Sequence, residues 1–95
     1  MKSLPAHMEN YKSTPEFDEC SIPPGLLKAH QTKPGVWGKI VVLSGRLKYR
    51  ILEPVLEEVE LSAQLHGVVE PAVPHEVEPI GAVKFYVAFY RERAG

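Results

Sequence analysis

The sequence predicts an all-β fold, built as a sandwich or barrel of short antiparallel strands. Eleven of the 95 residues are valine, a β-branched type that suits the pleated surface of a sheet. Nine prolines and seven glycines divide the chain into segments of strand length, as frequent turns do in all-β domains. No segment repeats its apolar residues at a sustained helical spacing. The length fits a single domain with one modest core.

Seven segments have the residue pattern of strands. They cover residues 25–30, 36–43, 46–52, 55–61, 67–70, 75–78 and 82–90. The segment 46–52 alternates most clearly, with Leu47, Tyr49 and Ile51 on one face and basic residues on the other. In 82–90 the valines and phenylalanines fall together on one face. Ser44 and Gly45, between the second and third segments, predict the tight turn of a hairpin.

Composition and charge exclude several classes of function. Eleven basic and twelve acidic residues give a net charge of −1, so the chain has no basic excess for nucleic acid. The single cysteine, Cys20, allows no internal disulfide and no multi-cysteine zinc site. The sequence shows no signal peptide and no apolar run that could span a membrane, which predicts a cytoplasmic protein with no membrane partner. We expect residues 1–10 to be a flexible tail and residues 11–95 to form the domain.

Histidine is the residue type that carries the candidate chemistry. The chain has no glycine-rich phosphate loop before a helix and no serine nucleophile elbow. His75 follows a segment in which Pro71 and Pro74 restrict the backbone, as an aimed ligand or base requires. His30 ends a short predicted strand just before a turn. The alternative for both is a neutral histidine that only makes hydrogen bonds in a pocket wall or a turn.

Two strings of residues carry a resemblance to a known family. The first runs from His30 to Leu47 and includes Thr32, Lys33, Gly35, Trp37, Gly38 and Val42 to Gly45. The second comprises Glu70, Pro71, His75, Val77 and Glu78, and Phe89 and Tyr90 close the match. Together they resemble the tellurite-resistance protein B N-terminal or YeaR-like family of the cupin superfamily, over about residues 11–91. The resemblance implies a cupin-like double-stranded β-helix, that is, a small jelly roll or β-barrel with an internal cavity.

The resemblance also implies a metal site, with departures from the cupin pattern. A metal-binding cupin uses two histidines and a glutamate from its first motif, and one histidine from its second. By that spacing Gly38 occupies the glutamate position. The resemblance therefore leaves His30, His75 and Glu78 as ligands of one divalent ion, either zinc, iron or nickel. Because side chains alternate along a strand, Glu78 should face away from His75, so Glu70 remains the alternative carboxylate.

The predicted function is a stand-alone cupin-like module that binds a metal, a small molecule or an oxyanion. Its predicted pocket contains Lys33, Gly38, Tyr49 and Glu70, with Lys33 as a counter-charge for an anion. In the full-length relatives a methyltransferase domain follows this module, so we expect neither methyl transfer nor a nucleotide cofactor from this chain alone. The alternative is a small metal-dependent enzyme of the dioxygenase or isomerase type. An apolar outer face of the sheet, with Trp37 and Leu43, must be covered by the N-terminal segment or by a second subunit, and the prediction is a homodimer.

Overall fold

A single antiparallel sheet of six strands forms most of the molecule. The computed structural model describes residues 1–28 and 30–93. The strands are β1 (Met8–Ser13), β2 (Phe17–Asp18), β3 (Trp37–Ile51), β4 (Glu57–Leu61), β5 (Gly67–Val69) and β6 (His75–Glu92). The strand order across the sheet is β1–β6–β3–β4. In addition, β2 pairs with β6, and β5 pairs with β3. The all-β prediction is confirmed, and over the described residues the sheet is not closed into a barrel.

The long strands β3 and β6 form the centre of the sheet. They pair from Trp37 with Tyr90 to Ile51 with His75, and the register shifts on both sides of Ser44. Gly45 and Gly81 have φ angles of +75° and +69°, values that only glycine adopts readily. The predicted hairpin at Ser44 and Gly45 is therefore wrong, because β3 continues through this point with bulges. A glycine at positive φ serves a bulge as well as a hairpin turn, so the local sequence does not separate the two.

The shorter strands flank the two halves of the central pair. β5 pairs with β3 at Gly38–Ile40, whereas β4 pairs with it at Leu47–Ile51. β1 and β2 pair with the second half of β6. One hydrophobic cluster joins both halves, since it includes Ile40 and Val42 before the bulges of β3, where the strand bends, as well as Leu47 and Tyr49 after them.

The predicted alternation of faces is confirmed in both long strands. In β3, Leu47, Tyr49 and Ile51 are buried. In β6, Val83 and Phe85 are buried, and Phe85 has no exposed surface. A period of two residues is the direct consequence of strand geometry, so the face assignments do not depend on how the strands are connected.

Two segments before β3 differ from the prediction. A 3₁₀ helix at Pro24–Leu27 overlaps the first part of the strand predicted over 25–30. Proline at the start of this helix has its φ preset for a helical turn, which the strand prediction overlooked. β1 begins at Met8, inside the predicted tail, and pairs with β6. Within the described part of the chain, no helix is long and apolar enough to cross a membrane.

Candidate functional site

His30 and His75 face each other across an antiparallel bridge. The backbone N–H of His30 donates to the His75 carbonyl at 2.7 Å, and the reverse bond measures 2.8 Å. Residues that exchange both bonds project their side chains from the same side of the backbone pair. The two imidazole ring centres are 5.3 Å apart, and their planes lie at 86°. The fold thus brings the side chains of two histidines that are 45 residues apart in the sequence next to each other.

His75 is held as a neutral ring with one free nitrogen. Its side chain is buried, and Nδ1 lies 3.2 Å from the carbonyl oxygen of Val73. A carbonyl oxygen only accepts, so in the neutral ring Nδ1 carries the proton and Nε2 keeps its lone pair. Burial lowers the pKa of His75, the Val73 hydrogen bond opposes this effect, and nearby His30 lowers the pKa further. This is the form of imidazole that binds a metal ion or accepts a proton.

The backbone before His75 is anchored on both sides. The N–H of Leu52 donates to the Pro74 carbonyl at 2.9 Å, which joins this segment to the chain just after β3. The N–H of Val73 lies 3.4 Å from the carbonyl of Glu70, across a turn. The carbonyl that orients the His75 ring is therefore part of a defined turn.

A small cavity lies beside the two histidines. About 20 Å³ of it is open to the centre of a water molecule. About 10–15 Å³ measured in this way is enough for one water, so the cavity accepts a water or a single ion and excludes an organic ligand. Apart from His30, His75 and Thr32, its wall consists of glycine and of aliphatic and aromatic side chains. The two imidazoles are therefore its chemically active groups.

The distance between the two rings matches that of two histidines on one ion, but the complete cupin ligand set is not assembled among the described residues. With metal–nitrogen distances of about 2.0–2.1 Å, two imidazoles on one ion have ring centres about 4.5–5.5 Å apart. The observed 5.3 Å between His30 and His75 lies within that range. Among the described residues, no group of three or more His, Cys, Asp or Glu side chains could hold a metal ion. The remaining positions on an ion would be left to water or an added ligand.

Glu78, the predicted carboxylate ligand, lies on the opposite face of β6. Its carboxylate pairs with Arg50, which also binds Glu58 at 2.8 Å and Glu76 at 3.0 Å. The hydrogen bond from Arg50 holds the pKa of Glu78 below its ordinary value. The structure does not bring Glu78 to the histidines, for the reason that strand alternation supplied: His75 is buried while Glu78 is exposed.

The predicted pocket residues occupy four different environments. Gly38 lines the cavity, and a Cβ on it would lie 3.2 Å from the Cβ of Val69. Tyr49 is buried with its ring centre 5.9 Å from that of His75, and it packs in the core. The carboxylate of Glu70 pairs with Lys2 at 3.4 Å, outside the cavity lining. Lys33 is exposed and lies outside the cavity lining as well.

Lys33 lines a wider groove on the other side of His30. The groove has a volume of about 220 Å³, and its lining includes His30, Thr32 and Phe89, which also line the cavity. These three residues thus form the wall between the cavity and the groove. Lys12 is a second cationic residue in the groove. Lys12 is not among the residues predicted from the sequence, because nothing in the local pattern of β1 shows that this strand contributes to the same groove as His30.

Comparison with known proteins identifies relatives of the chain. Residues 12–87 match the family described as the TehB-like domain. A Haemophilus influenzae protein, described as a probable S-adenosyl-L-methionine-dependent methyltransferase TehB, is 36% identical over 74 residues. That match covers 74% of this chain but only 26% of the relative. The chain therefore corresponds to about a quarter of that protein.

Two solved structures share the fold. The crystal structure of TehB from Haemophilus influenzae superposes with a TM-score of 0.83 and 29% identity, over 92% of this chain and 32% of that one. A crystal structure of a protein from E. coli K12 superposes with a TM-score of 0.88 and 22% identity, over 99% of this chain and 100% of that one. The second likeness, at this identity, concerns the fold alone.

Proposed function

This chain belongs to the TehB-like domain family, and we propose that it is a cupin-like, YeaR-type module that binds one first-row transition-metal ion through His30 and His75. Zinc, iron(II) and nickel are the candidate ions, since imidazole suits all three. The observation that carries the proposal is the paired arrangement of the two rings, 5.3 Å apart at a cavity of about 20 Å³. The proposal concerns this domain, not the methyltransferase activity in the relative's description.

The size of the cavity favours a metal over an organic ligand. Small-molecule pockets usually measure about 300–1,000 Å³, far more than this cavity offers. A metal ion needs little volume but needs donors with free lone pairs, and neutral His75 supplies one at Nε2. His30 lies on the wall shared with the groove, so water or a small ligand can reach an ion there without entering the core.

The role of the chain's own residues follows from this arrangement. Val73 holds the His75 ring in the tautomer that leaves Nε2 free, as second-sphere carbonyls do for metal-bound histidines. Apart from Thr32, the rest of the cavity wall is glycine, aliphatic or aromatic, so it offers little competition to the two imidazoles as ligands. A bound ion would supply a positive charge and open coordination positions at the boundary with the groove, where it could fix a small anionic ligand in tellurite or related oxyanion stress.

Metal content and metal-dependent unfolding test the proposal. The chain would be purified without a histidine tag, its metals measured by mass spectrometry, and its melting followed with chelator, zinc, nickel or iron(II). A ligand that binds only the folded state at a hundred times its Kd stabilises by about 2.7 kcal/mol, or about 10–20 °C in a domain of this size. We expect this shift in the wild type and not in His75→Ala or His30→Ala.

His66→Ala is the matched control, because His66 lies away from both the cavity and the groove. It should keep the full metal-dependent shift. His30→Ala guards against a folding defect in His75→Ala, since His30 is only partly buried. An equal shift in all three variants, or no shift in the wild type with any of the metals, would refute the two-histidine site.

A further inference from the structure

We propose that the groove outside His30 binds a small oxyanion between Lys12 and Lys33. The groove is lined by these two lysines, His30 and the polar side chain of Gln31, and its lining contains no aspartate or glutamate. This is notable in a chain where acidic residues outnumber basic ones by twelve to eleven. A concave surface with cations and no carboxylates attracts anions and concentrates them.

A β-bulge directs Lys12 into the groove. The pairing of β1 with β6 shifts between Asn10 and Lys12, so that Tyr11 is the extra residue. The side-chain amide of Asn10 donates to the carbonyl of Lys12 at 3.1 Å and to that of Phe89 at 3.0 Å, which fastens the bulge to β6. Bulges commonly re-aim a side chain beside a functional site, and here Tyr11 and Lys12 both reach the groove lining.

The ammonium group of Lys12 is oriented without being neutralised. Its Nζ lies 5.3 Å from the ring centre of Phe89 and 5.9 Å from that of Tyr11. Aromatic faces attract a cation but leave its charge and its N–H donors available to an anion. The ion pairs found among the described residues do not include Lys12 or Lys33.

A fixed turn presents Lys33 at the groove. The N–H of Val36 donates to the Lys33 carbonyl at 3.0 Å, and Gly35 has a φ of +80°. With Pro34 as its second residue, this turn has the features of type II. The hydroxyl of Thr32, a buried residue, donates to the Val36 carbonyl at 2.9 Å and ties the turn to the cavity wall. The backbone beneath Lys33 is therefore held on the same wall that carries His30.

The volume of the groove and its two lysines indicate the class of ligand. Its volume of about 220 Å³ holds an anion the size of phosphate or sulfate with some of its water, or the phosphate of a small metabolite. Lysine ammonium groups form charge-assisted hydrogen bonds with such oxygens. The inference goes beyond the metal site, since both lysines and the groove exist whether or not His30 binds an ion.

A titration followed by NMR tests the anion site. The ¹⁵N-labelled full chain, with chelator present, would receive sodium phosphate or sulfate against sodium chloride at equal ionic strength. AMP would test whether a phosphate on a metabolite binds better than the free anion. We expect saturable shifts centred on residues 11–12 and 30–36, and at least about tenfold weaker binding in the double variant Lys12→Ala/Lys33→Ala.

The double variant Lys39→Ala/Lys84→Ala is the control, because it removes the same charge outside the groove. It should change the affinity by less than about twofold. Equal losses in the two double variants, or shifts spread over lysines throughout the chain, would overturn the proposal. Because the chelator removes metals, a negative result here leaves the two-histidine site intact. Conversely, anion binding by a protein that shows no metal-dependent melting would show that the groove binds anions without a metal at the two histidines.

Discussion

Removing the hydroxyl of Tyr49 should destabilise the core around His75. The hydroxyl donates to the carbonyl of Val68 at 2.9 Å, linking β3 to β5 from inside, while the ring packs against His75. Tyr49→Phe keeps the ring and removes the donor, so the Val68 carbonyl loses a partner. Leaving a buried acceptor unpaired costs about 1–3 kcal/mol, and because Val68 is only partly buried we expect the lower part of that range. In a domain of this size each kcal/mol corresponds to about 4–8 °C in Tm.

The pH dependence makes this prediction sharper. Burial raises the pKa of Tyr49, and the nearby charges of Glu70 and Glu57 raise it further. A raised pKa in the folded state gives stability that is complete below the unfolded pKa of about 10 and is lost above it. The wild type should therefore lose about 1.4 kcal/mol at pH 11 that Tyr49→Phe cannot lose. The difference in the free energy of unfolding between wild type and Tyr49→Phe, about 1–3 kcal/mol at pH 8, should therefore be about 1.4 kcal/mol smaller at pH 11.

Urea unfolding of both proteins at pH values from 8 to 11 measures this difference directly. Comparing the two cancels the titration of every group that they share. Tyr86→Phe makes the same chemical change at a half-buried position on the outer side of β6, and we expect it to cost less than about 0.5 kcal/mol at pH 8. If the difference in unfolding free energy between wild type and Tyr49→Phe stays constant up to pH 11, burial does not hinder ionisation of the Tyr49 hydroxyl and the prediction is wrong.

Two further predictions concern the histidine site and the bend. Burial lowers the pKa of His75, so the stability that neutral His75 gives should be complete above the unfolded pKa of about 6.5 and be lost as the pH falls. His75→Gln should therefore remove this loss of stability in acid, measured by urea unfolding between pH values of about 5 and 7.5. His66→Gln should keep it. A Cβ at Gly45 would lie 2.0 Å from the carbonyl oxygen of Ala82, at a φ of +75°. Gly45→Ala should therefore cost more than about 2 kcal/mol, while Gly25→Ala, with open space at its Cβ, should cost less than about 0.5 kcal/mol; equal Tm values would contradict this.

The sequence predicted those parts of the fold that depend on local alternation. Leu47, Tyr49 and Phe85 were assigned to the correct faces because a strand fixes the direction of each side chain relative to its neighbours. It did not predict that β3 and β6 each continue through a bend. Continuity there depends on β6 lying beside β3 at Gly45, a contact between residues far apart in the chain. Local patterns contain no information about such a partner.

The candidate site was predictable to a similar extent. The resemblance led to His30 and His75, which the structure brings together. The alternation of side chains along the strand correctly indicated that Glu78 faces away from His75, although the resemblance favoured Glu78 as a ligand. The groove was not predicted, because Lys12 reaches it through a bulge in β1, a strand that the sequence pattern did not indicate and whose first half lies in the predicted tail. The bound metal and the homodimer stay predictions.

The bend in the long strands explains why the fold and the site form together. His75 and Val77 precede Gly81 in β6, whereas Phe85 and Val87 follow it, and all four line the same cavity. A straight strand would separate residues 75 and 87 by about 40 Å at its usual rise of about 3.3 Å per residue. The bends at Gly45 and Gly81 therefore turn the first part of the sheet towards the second and create the enclosed wall beside the histidines. It follows that a substitution which straightens the bend should separate His30 from the rest of the cavity wall and lower the stability, even though it touches neither histidine; any metal binding by the proposed two-histidine site should be lost with it.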